Sequence, residues 1–181
     1  YSVETANYSS EEIINNYSMS FDGNSNIIVP NSETLDFGSY NPMSIMFWLN
    51  KNHDGEMHFL GKRSAQNVCT FQIAGTGDDI GIGSSLNWEI INVLSSNSLV
   101  NTWNHIAFTY DGNTIICYIN GDFIDSVDDV SLGQNSSAPL TLGGVGYGFN
   151  TDGFLDDVNL WDISLSNEQV KQYMNLSLIH I

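Results

Sequence analysis

The segment 103–121, with the sequence WNHIAFTYDGNTIICYING, constrains the fold more than any other part of this chain. It contains two runs of aromatic and β-branched residues, a composition that suits a pleated, half-buried strand. Asp111-Gly112 separates the two runs, and Asn120-Gly121 follows the second. Both dipeptides are signals for tight turns, because glycine tolerates a positive φ angle and Asp or Asn can bond its own backbone. The segment therefore predicts two adjacent strands, with a third strand returning after the second turn.

Similar strand-like runs recur along the chain, separated by Gly, Asn, Asp and Ser rather than by helix-forming residues. Many short strands at this spacing predict an all-β fold, a two-sheet antiparallel sandwich. The predicted strands are Tyr17–Phe21, Asn26–Val29, Met43–Leu49, Met57–Lys62, Val68–Ala74, Ile80–Gly83, Trp88–Leu94, Trp103–Tyr110, Thr114–Ile119, Phe123–Val127, Pro139–Leu142 and Phe154–Trp161.

One short helix is predicted near the C-terminus, from Asn167 to about Met174. Ser166 is a good N-cap, and Gln169 lies at the capping-box position three residues further on. A weaker helical turn is predicted over residues 10–15.

The organisation of the chain is that of one domain over residues 17–175. Residues 1–16 are interpreted as a loosely ordered lead-in. Residues 176–181 follow the helix without a turn or cap and are interpreted as a non-native tail, such as read-through of a cloning adapter. No role is therefore given to His180.

The charge of the chain is strongly negative: 4 Lys and Arg stand against 21 Asp and Glu among 181 residues, a net charge of −17. Nucleic acid and anionic membrane surfaces are excluded as partners, because both require a basic patch. No apolar run approaches the length needed to insert across a bilayer. The charge favours neutral partners such as sugars, or cations such as Ca²⁺; the alternative is that it only confers solubility.

Two cysteines, Cys69 and Cys117, lie within apolar strand-like runs. They either pair across the core or remain buried free thiols, and free thiols are favoured.

Four blocks of sequence resemble the laminin-G-like, concanavalin A-like jelly-roll modules of secreted and surface proteins. They cover nearly all of residues 17–174, in the family's order. The blocks are 18–30 (SMSFDG followed by IIVP), 43–62 (MSIMFWL followed by LGK), 103–121, and 140–166 (LTLGG, GFLDDV and LS) with the following helix. The resemblance implies a jelly-roll sandwich whose first and last strands are neighbours.

The function implied by the resemblance is a non-catalytic extracellular recognition or adhesion module at the cell surface or secreted, cut from a larger polypeptide with other domains. A glycan is the favoured ligand, bound at rim loops or on the concave sheet face, and an extracellular protein is the other candidate. A structural spacer and a glycoside hydrolase remnant remain alternatives. Catalysis is not expected, because no strand carries the alternating carboxylates of related glucanases.

A structural Ca²⁺ site is one hypothesis raised by strand alternation. In the run 154–161, alternation places Asp156 on one face with Phe154, Val158 and Leu160, among apolar neighbours, where a carboxylate needs compensation. If the first and last strands are neighbours, Asp22 meets Asp156, and Gly23 and Asn24 supply carbonyl oxygens to the ion. Backbone hydrogen bonding is an equal alternative.

Exposed aromatic residues are the candidates for stacking against sugar rings. Trp88 is flanked by polar residues, and Tyr147 and Phe149 lie in a Gly-rich loop. Loop packing is the competing interpretation for each. Asp152, at the end of that loop, is a further candidate ligand residue, since Asp can bond sugar hydroxyl groups. A further acidic segment, 75–81 (GTGDDIG), is interpreted as a hairpin tip with solvated aspartates.

Overall fold

The computed structural model describes residues 17–65, 68–87, 90–95, 98–145 and 148–176. The strands within these residues are β1 (Met19–Asp22), β2 (Ile27–Val29), β3 (Met43–Lys51), β4 (Met57–Ala65), β5 (Val68–Gly75), β6 (Asp79–Gly83), β7 (Ile91–Leu94), β8 (Asn104–Tyr110), β9 (Ile115–Ile119), β10 (Asp122–Val127), β11 (Leu140–Leu142) and β12 (Asp152–Trp161). A short 3-10 helix covers Glu33–Leu35, and the α-helix α1 covers Asn167–Leu176.

The strands form two antiparallel sheets of six strands each, packed as a jelly-roll sandwich. Sheet A has the order β1-β12-β3-β8-β9-β10, and sheet B has the order β2-β11-β4-β5-β6-β7. Each predicted strand has its counterpart among the described residues, so the predicted all-β sandwich is confirmed. The expectation that the first and last strands are neighbours is also confirmed, since Met19 of β1 pairs with Leu155 of β12.

The segment 103–121 forms the predicted consecutive strands β8 and β9, followed by β10. At the second turn Asn120 has φ 54° and Gly121 has φ 79°, the pair of positive angles that a two-residue hairpin requires. At the first turn Oδ1 of Asp111 accepts the backbone N–H groups of Asn113 and Thr114. Local turn chemistry thus sets the register of half of sheet A.

The main core lies between the two sheets, because alternate residues of each strand point inward. Ile45, Phe47 and Leu49 of β3 are fully buried against residues of sheet B such as Phe59 and Phe71. Truncating a buried phenylalanine of this kind to alanine costs about 3–5 kcal/mol of stability.

The two cysteines are free and buried, which confirms the free-thiol prediction. Burial raises the pKa of both the Cys69 and the Cys117 thiol to about 12. Both thiols therefore stay protonated at neutral pH and behave as small apolar side chains.

Helix α1 covers part of the outer face of sheet A. Val170 of the helix and Leu165 just before it pack against Met46, Ala107 and Tyr118 of the sheet. The predicted capping box is present, since the backbone N–H of Gln169 donates to Oγ of Ser166 and that of Ser166 donates to Oε1 of Gln169.

Among the residues that the structure describes, no helix has the length and apolar character required to cross a membrane. The predicted helical turn at 10–15 and most of the predicted tail lie outside the described residues.

Candidate ligand-binding site

A cavity of about 390 Å³ lies on the outer face of sheet B, where strands β4 to β7 run side by side. Its volume is within the range of small-molecule sites. The lining residues used below are Glu56, His58, Gln72, Ala74, Asp79, Gly81 and Asn92.

The floor of the cavity is made of small residues because of strand alternation. Ile73 and Ile82 point into the core, so their neighbours Ala74, Gly81 and Gly83 point outward. A Cβ atom at Gly81 would approach the carbonyl oxygen of Ile91 to 2.5 Å, so this position requires glycine. The small floor lets a ligand approach the backbone of the sheet closely.

His58 of β4 lies at one side of this cavity and is only 8% exposed. Burial lowers the pKa of its imidazole, which is therefore neutral at neutral pH. Within the described residues, its Nδ1 atom is buried without a hydrogen-bond partner. A buried N–H without an acceptor is costly, so we assign the proton to Nε2.

The Nε2 atom of His58 lies 3.8 Å from Oε1 of Glu56. This distance is too long for a hydrogen bond. The two groups therefore form a donor and an acceptor at the cavity, and a hydroxyl oxygen placed beside both, about 2.8 Å from each, can bond to the two at once.

Gln72 of β5 is oriented by a neighbouring cation. Nη1 of Arg63 donates to Oε1 of Gln72 at 2.9 Å. Since the carbonyl oxygen is engaged, the amide presents its Nε2 group as the donor for a ligand.

The turn between β5 and β6, directly before the rim residue Asp79, is held by a buried lysine. Lys51 is fully buried, and its Nζ donates to the carbonyl oxygen of Gly77 at 2.7 Å. Burial lowers the pKa of Lys51, while nearby carboxylates, first that of Asp78, raise it. Oδ1 of Asp78 also accepts the N–H of Leu99 at 2.8 Å. The interpretation of 75–81 as a hairpin tip is correct, but Asp78 is part of an internal network rather than simply solvated.

Phe149, a predicted ligand residue, lies beside this cavity. Its ring is 59% exposed and its centroid is 6.1 Å from that of His58. The carbonyl oxygen of Phe149 accepts the backbone N–H of His58 at 2.6 Å. Phe149 has φ 53°, a strained angle for a bulky side chain. The hydrogen bond to His58 thus keeps this exposed ring next to a residue of the cavity, in spite of the unfavourable φ angle.

The other predicted ligand residues are not brought to the cavity. Trp88 and Tyr147 lie outside the described residues. Asp152 is at the start of β12 in sheet A, where its Oδ1 accepts Nδ2 of Asn52 at 2.6 Å and its Oδ2 lies 3.6 Å from Nε2 of His53. Sequence reasoning missed His58, Glu56, Gln72, Asp79 and Asn92; the alternating glycines of β6 were the available signal.

The predicted calcium ligands do not converge. Asp22 lies directly opposite Asp152 in the β1–β12 ladder, whereas Asp156 is four residues further along β12 and opposite Trp48 of β3. The expected meeting of Asp22 and Asp156 is therefore wrong.

The carboxylate of Asp22 serves the turn that follows β1. Oδ1 of Asp22 accepts the N–H groups of Asn24 and Ser25 and the hydroxyl of Ser25, at 2.8–3.0 Å. These hydrogen bonds, first that from Asn24, lower the pKa of Asp22. Gly23 uses its own N–H on the carbonyl oxygen of Thr151. The four predicted ligands thus do not form one coordination sphere, and the described residues contain no group of three or more His, Cys, Asp or Glu placed to hold a metal ion.

A β-bulge explains why alternation failed in β12. The register shifts by one residue between Asp156 and Asn159, and Asp157 takes φ 43°. Val158 and Leu160 consequently pack toward the inter-sheet core, on the face opposite to Asp156. The predicted burial of Asp156 is confirmed, and its Oδ1 accepts the N–H of Asp157 at 2.8 Å.

His105 lies next to this bulge on the outer face of sheet A, where it is packed against other residues of the sheet. It is 2% exposed, and its ring makes an edge contact with Trp48 at a centroid distance of 5.4 Å. Burial lowers the pKa of His105 to about 4, an effect that the charge of Asp157 opposes.

Two antiparallel six-stranded sheets packed as a jelly roll define the concanavalin A-like class of fold. The family model described as the concanavalin A-like lectin/glucanases superfamily matches residues 21–171. The chain therefore belongs to this laminin-G-like family. Comparison with curated protein sequences finds no match.

Solved structures with the same fold include three that differ in source. Domain 4 of AbnA, a GH43 extracellular arabinanase from Geobacillus stearothermophilus solved in complex with arabinotriose, is 20% identical with a TM-score of 0.67, covering 86% of this chain and 75% of that one. The binding domain of Paraclostridial Mosquitocidal Protein 1 is 22% identical with a TM-score of 0.67, covering 88% and 43%. A heptameric SAP-like pentraxin from Limulus polyphemus is 16% identical with a TM-score of 0.61, covering 81% and 79%.

The chain thus spans less than half of the toxin binding domain that it matches. At these identities the likeness shows a shared fold.

Proposed function

We propose that this protein is a non-catalytic glycan-binding domain whose ligand occupies the cavity on the outer face of sheet B. The observation that carries the proposal is the combination of a small-residue floor at Ala74 and Gly81 with a polar rim that includes His58 and Glu56. Sugar rings have apolar faces that fit a flat floor and hydroxyl groups that need donors and acceptors at its edge. Phe149 adds an exposed aromatic ring beside His58.

The comparisons support this proposal at the level of the binding class. The AbnA domain was solved with arabinotriose, and the mosquitocidal protein match is named as a binding domain. We also propose an extracellular or cell-surface location, which surface labelling of intact cells tests. A parent polypeptide with other domains is part of the same proposal.

The test is binding of the whole chain to a panel of arabino-, xylo-, gluco- and galacto-oligosaccharides, followed by titration calorimetry on any that bind. The variant Ala74→Leu fills the cavity floor from a half-buried position and is expected to abolish binding while the thermal midpoint stays close to that of the parent. Ser126→Leu, at an exposed position on β10 of sheet A, is the matched control and is expected to bind normally. Equal binding by both variants would place the ligand elsewhere, and no binding to any glycan would favour the spacer alternative.

A hydrolase is the second candidate, because two carboxylates, those of Glu56 and Asp79, line the same cavity. We expect the glycans that bind to be recovered intact after prolonged incubation, as measured by the release of reducing ends. Release that Glu56→Gln abolishes would establish an enzyme.

A further inference from the structure

We infer that the cavity on sheet B selects uncharged glycans and excludes those carrying uronate, sialate or sulfate groups, an inference that rests on the proposed glycan binding. The carboxylates of Glu56 and Asp79 are the charged side chains that line the cavity within the described residues. Glu56 is exposed and Asp79 is half-buried. An anionic ligand would meet both at close range, and like charges near a protein surface repel more strongly than in bulk water.

The cations nearest to the cavity are already engaged. Arg63 donates to Gln72, and Nζ of Lys51 donates to the carbonyl oxygen of Gly77 from a fully buried position. Lys51 is itself surrounded by the negative charges of Asp54, Asp78 and Asp79. Neither cation lines the cavity, so neither is placed to pair with a carboxylate or sulfate of a ligand.

His58 supplies hydrogen bonding without charge. The imidazole is almost fully buried, and a proton on its buried Nδ1 would find no acceptor among the described residues. The ring therefore stays neutral, with its proton on Nε2, the atom nearer to Glu56. A sugar hydroxyl can accept from this N–H and donate to a Glu56 oxygen at the same time, because a hydroxyl carries both functions. A carboxylate can only accept, so it would satisfy His58 and leave Glu56 facing a second negative charge.

The long-range field acts in the same direction. The chain carries 21 acidic against 4 basic residues, so anionic polymers are repelled before they reach the cavity. At about 1 M salt the Debye length is about 3 Å, so this long-range contribution is removed, whereas a ligand in contact with Glu56 or Asp79 is still partly repelled. The two contributions can therefore be separated by ionic strength.

The experiment compares pairs of oligosaccharides that differ only in oxidation at C6: gluco- with glucurono-, and galacto- with galacturono-oligosaccharides, in about 0.15 M and about 1 M NaCl. We expect the neutral member of a bound pair to bind at least tenfold more tightly at the lower salt concentration, with part of the difference persisting at the higher one. Equal or tighter binding of the oxidised member would overturn the inference while leaving glycan binding intact. Binding of neither member, with none on the wider panel, would overturn the proposed function itself.

Charge variants locate the source of the selectivity. The double variant Glu56→Gln with Asp79→Asn removes both cavity carboxylates and is expected to reduce the ratio of neutral to oxidised affinity at least threefold. The control Glu33→Gln with Asp162→Asn removes the same charge from exposed positions elsewhere and is expected to leave the ratio unchanged. The same reduction in both variants would mean that net charge alone discriminates, which would overturn the assignment of selectivity to the cavity.

Discussion

Nε2 of His58 and Oε1 of Glu56 lie 3.8 Å apart at the cavity on sheet B, a gap that one hydroxyl group can bridge by accepting from the first and donating to the second. Glu56 directly precedes β4, which begins at Met57, and His58 is the second residue of the strand. The two side chains point to the same outer face, separated by the buried Met57.

A double-mutant cycle on His58 and Glu56 tests this relationship. His58→Phe keeps an aromatic ring and removes the N–H, and Glu56→Ala removes the acceptor. Each single variant is expected to weaken binding of a neutral oligosaccharide by about 1 kcal/mol, and the double variant by about 1 kcal/mol less than the sum. Titration calorimetry gives the affinities, and urea unfolding shows whether each variant keeps the parent fold. Strictly additive losses would mean that no ligand group joins the two side chains.

Phe149 is expected to show opposite effects on stability and binding. Its φ of 53° is unfavourable for phenylalanine and well tolerated by asparagine, so Phe149→Asn should leave the free energy of unfolding unchanged or raise it by up to about 1 kcal/mol. The same variant removes the exposed ring and should weaken glycan binding by about 1 kcal/mol. Chemical denaturation and calorimetry measure the two quantities. A variant that is less stable yet binds as well as the parent would show that the ring serves packing only.

The fold could be predicted from sequence because its signals are local. Turn dipeptides such as Asn120-Gly121 fix hairpins by the φ angles they require, and Ser166 with Gln169 fixes the start of the helix by its own hydrogen bonds. Strand alternation then decides which side chains face the core. Each of these signals lies within a few consecutive residues, so a single sequence is enough to show it.

The candidate site could not be predicted in the same way. Its residues come from four strands and from the positions next to them, and none forms a recognisable motif with another along the chain. Alternation also fails where a bulge intervenes: Asp157, with its positive φ, shifts Val158 and Leu160 to the core face, opposite to Asp156. The distance between Asp156 and Asp22 has a different cause, since the register of β1 with β12 pairs Asp22 with Asp152. A bulge adds one residue without a distinctive sequence signal.

The calcium hypothesis is tested by melting the protein in EGTA and then with added Ca²⁺. We expect equal midpoints, because Oδ1 of Asp22 already accepts three hydrogen bonds. In addition, Asp156 lies four residues beyond Asp152, which is the residue that pairs with Asp22. Asp22→Ala should lower the midpoint through loss of the turn, equally with and without Ca²⁺. A Ca²⁺-dependent rise in the parent that disappears in Asp22→Ala would restore a structural ion at this edge.

The stability of the protein should fall on mild acidification because of His105. Burial lowers its pKa to about 4 in the folded protein from 6.5 in the unfolded chain. Between these values the unfolded chain binds a proton that the folded protein does not, so the free energy of unfolding decreases as the pH falls. The full loss is reached near pH 4 and amounts to about 3 kcal/mol. His58 acts in the same direction, since burial lowers its pKa as well.

Urea unfolding of the parent, of His105→Gln and of Ser126→Leu, from about pH 7 to about pH 4, separates the contributions. His105→Gln cannot be protonated in either state, so its stability should depend much less on pH, with a smaller slope remaining from His58. Ser126→Leu changes an exposed residue that does not titrate, and it should keep the slope of the parent. If His105→Gln lost stability on acidification as steeply as the parent, the assignment of the acid sensitivity to His105 would be wrong. Carboxylates with a lowered pKa, such as Asp22 and Asp111, do not produce this slope, because their contribution is lost only as the pH falls below the ordinary value of 3.8.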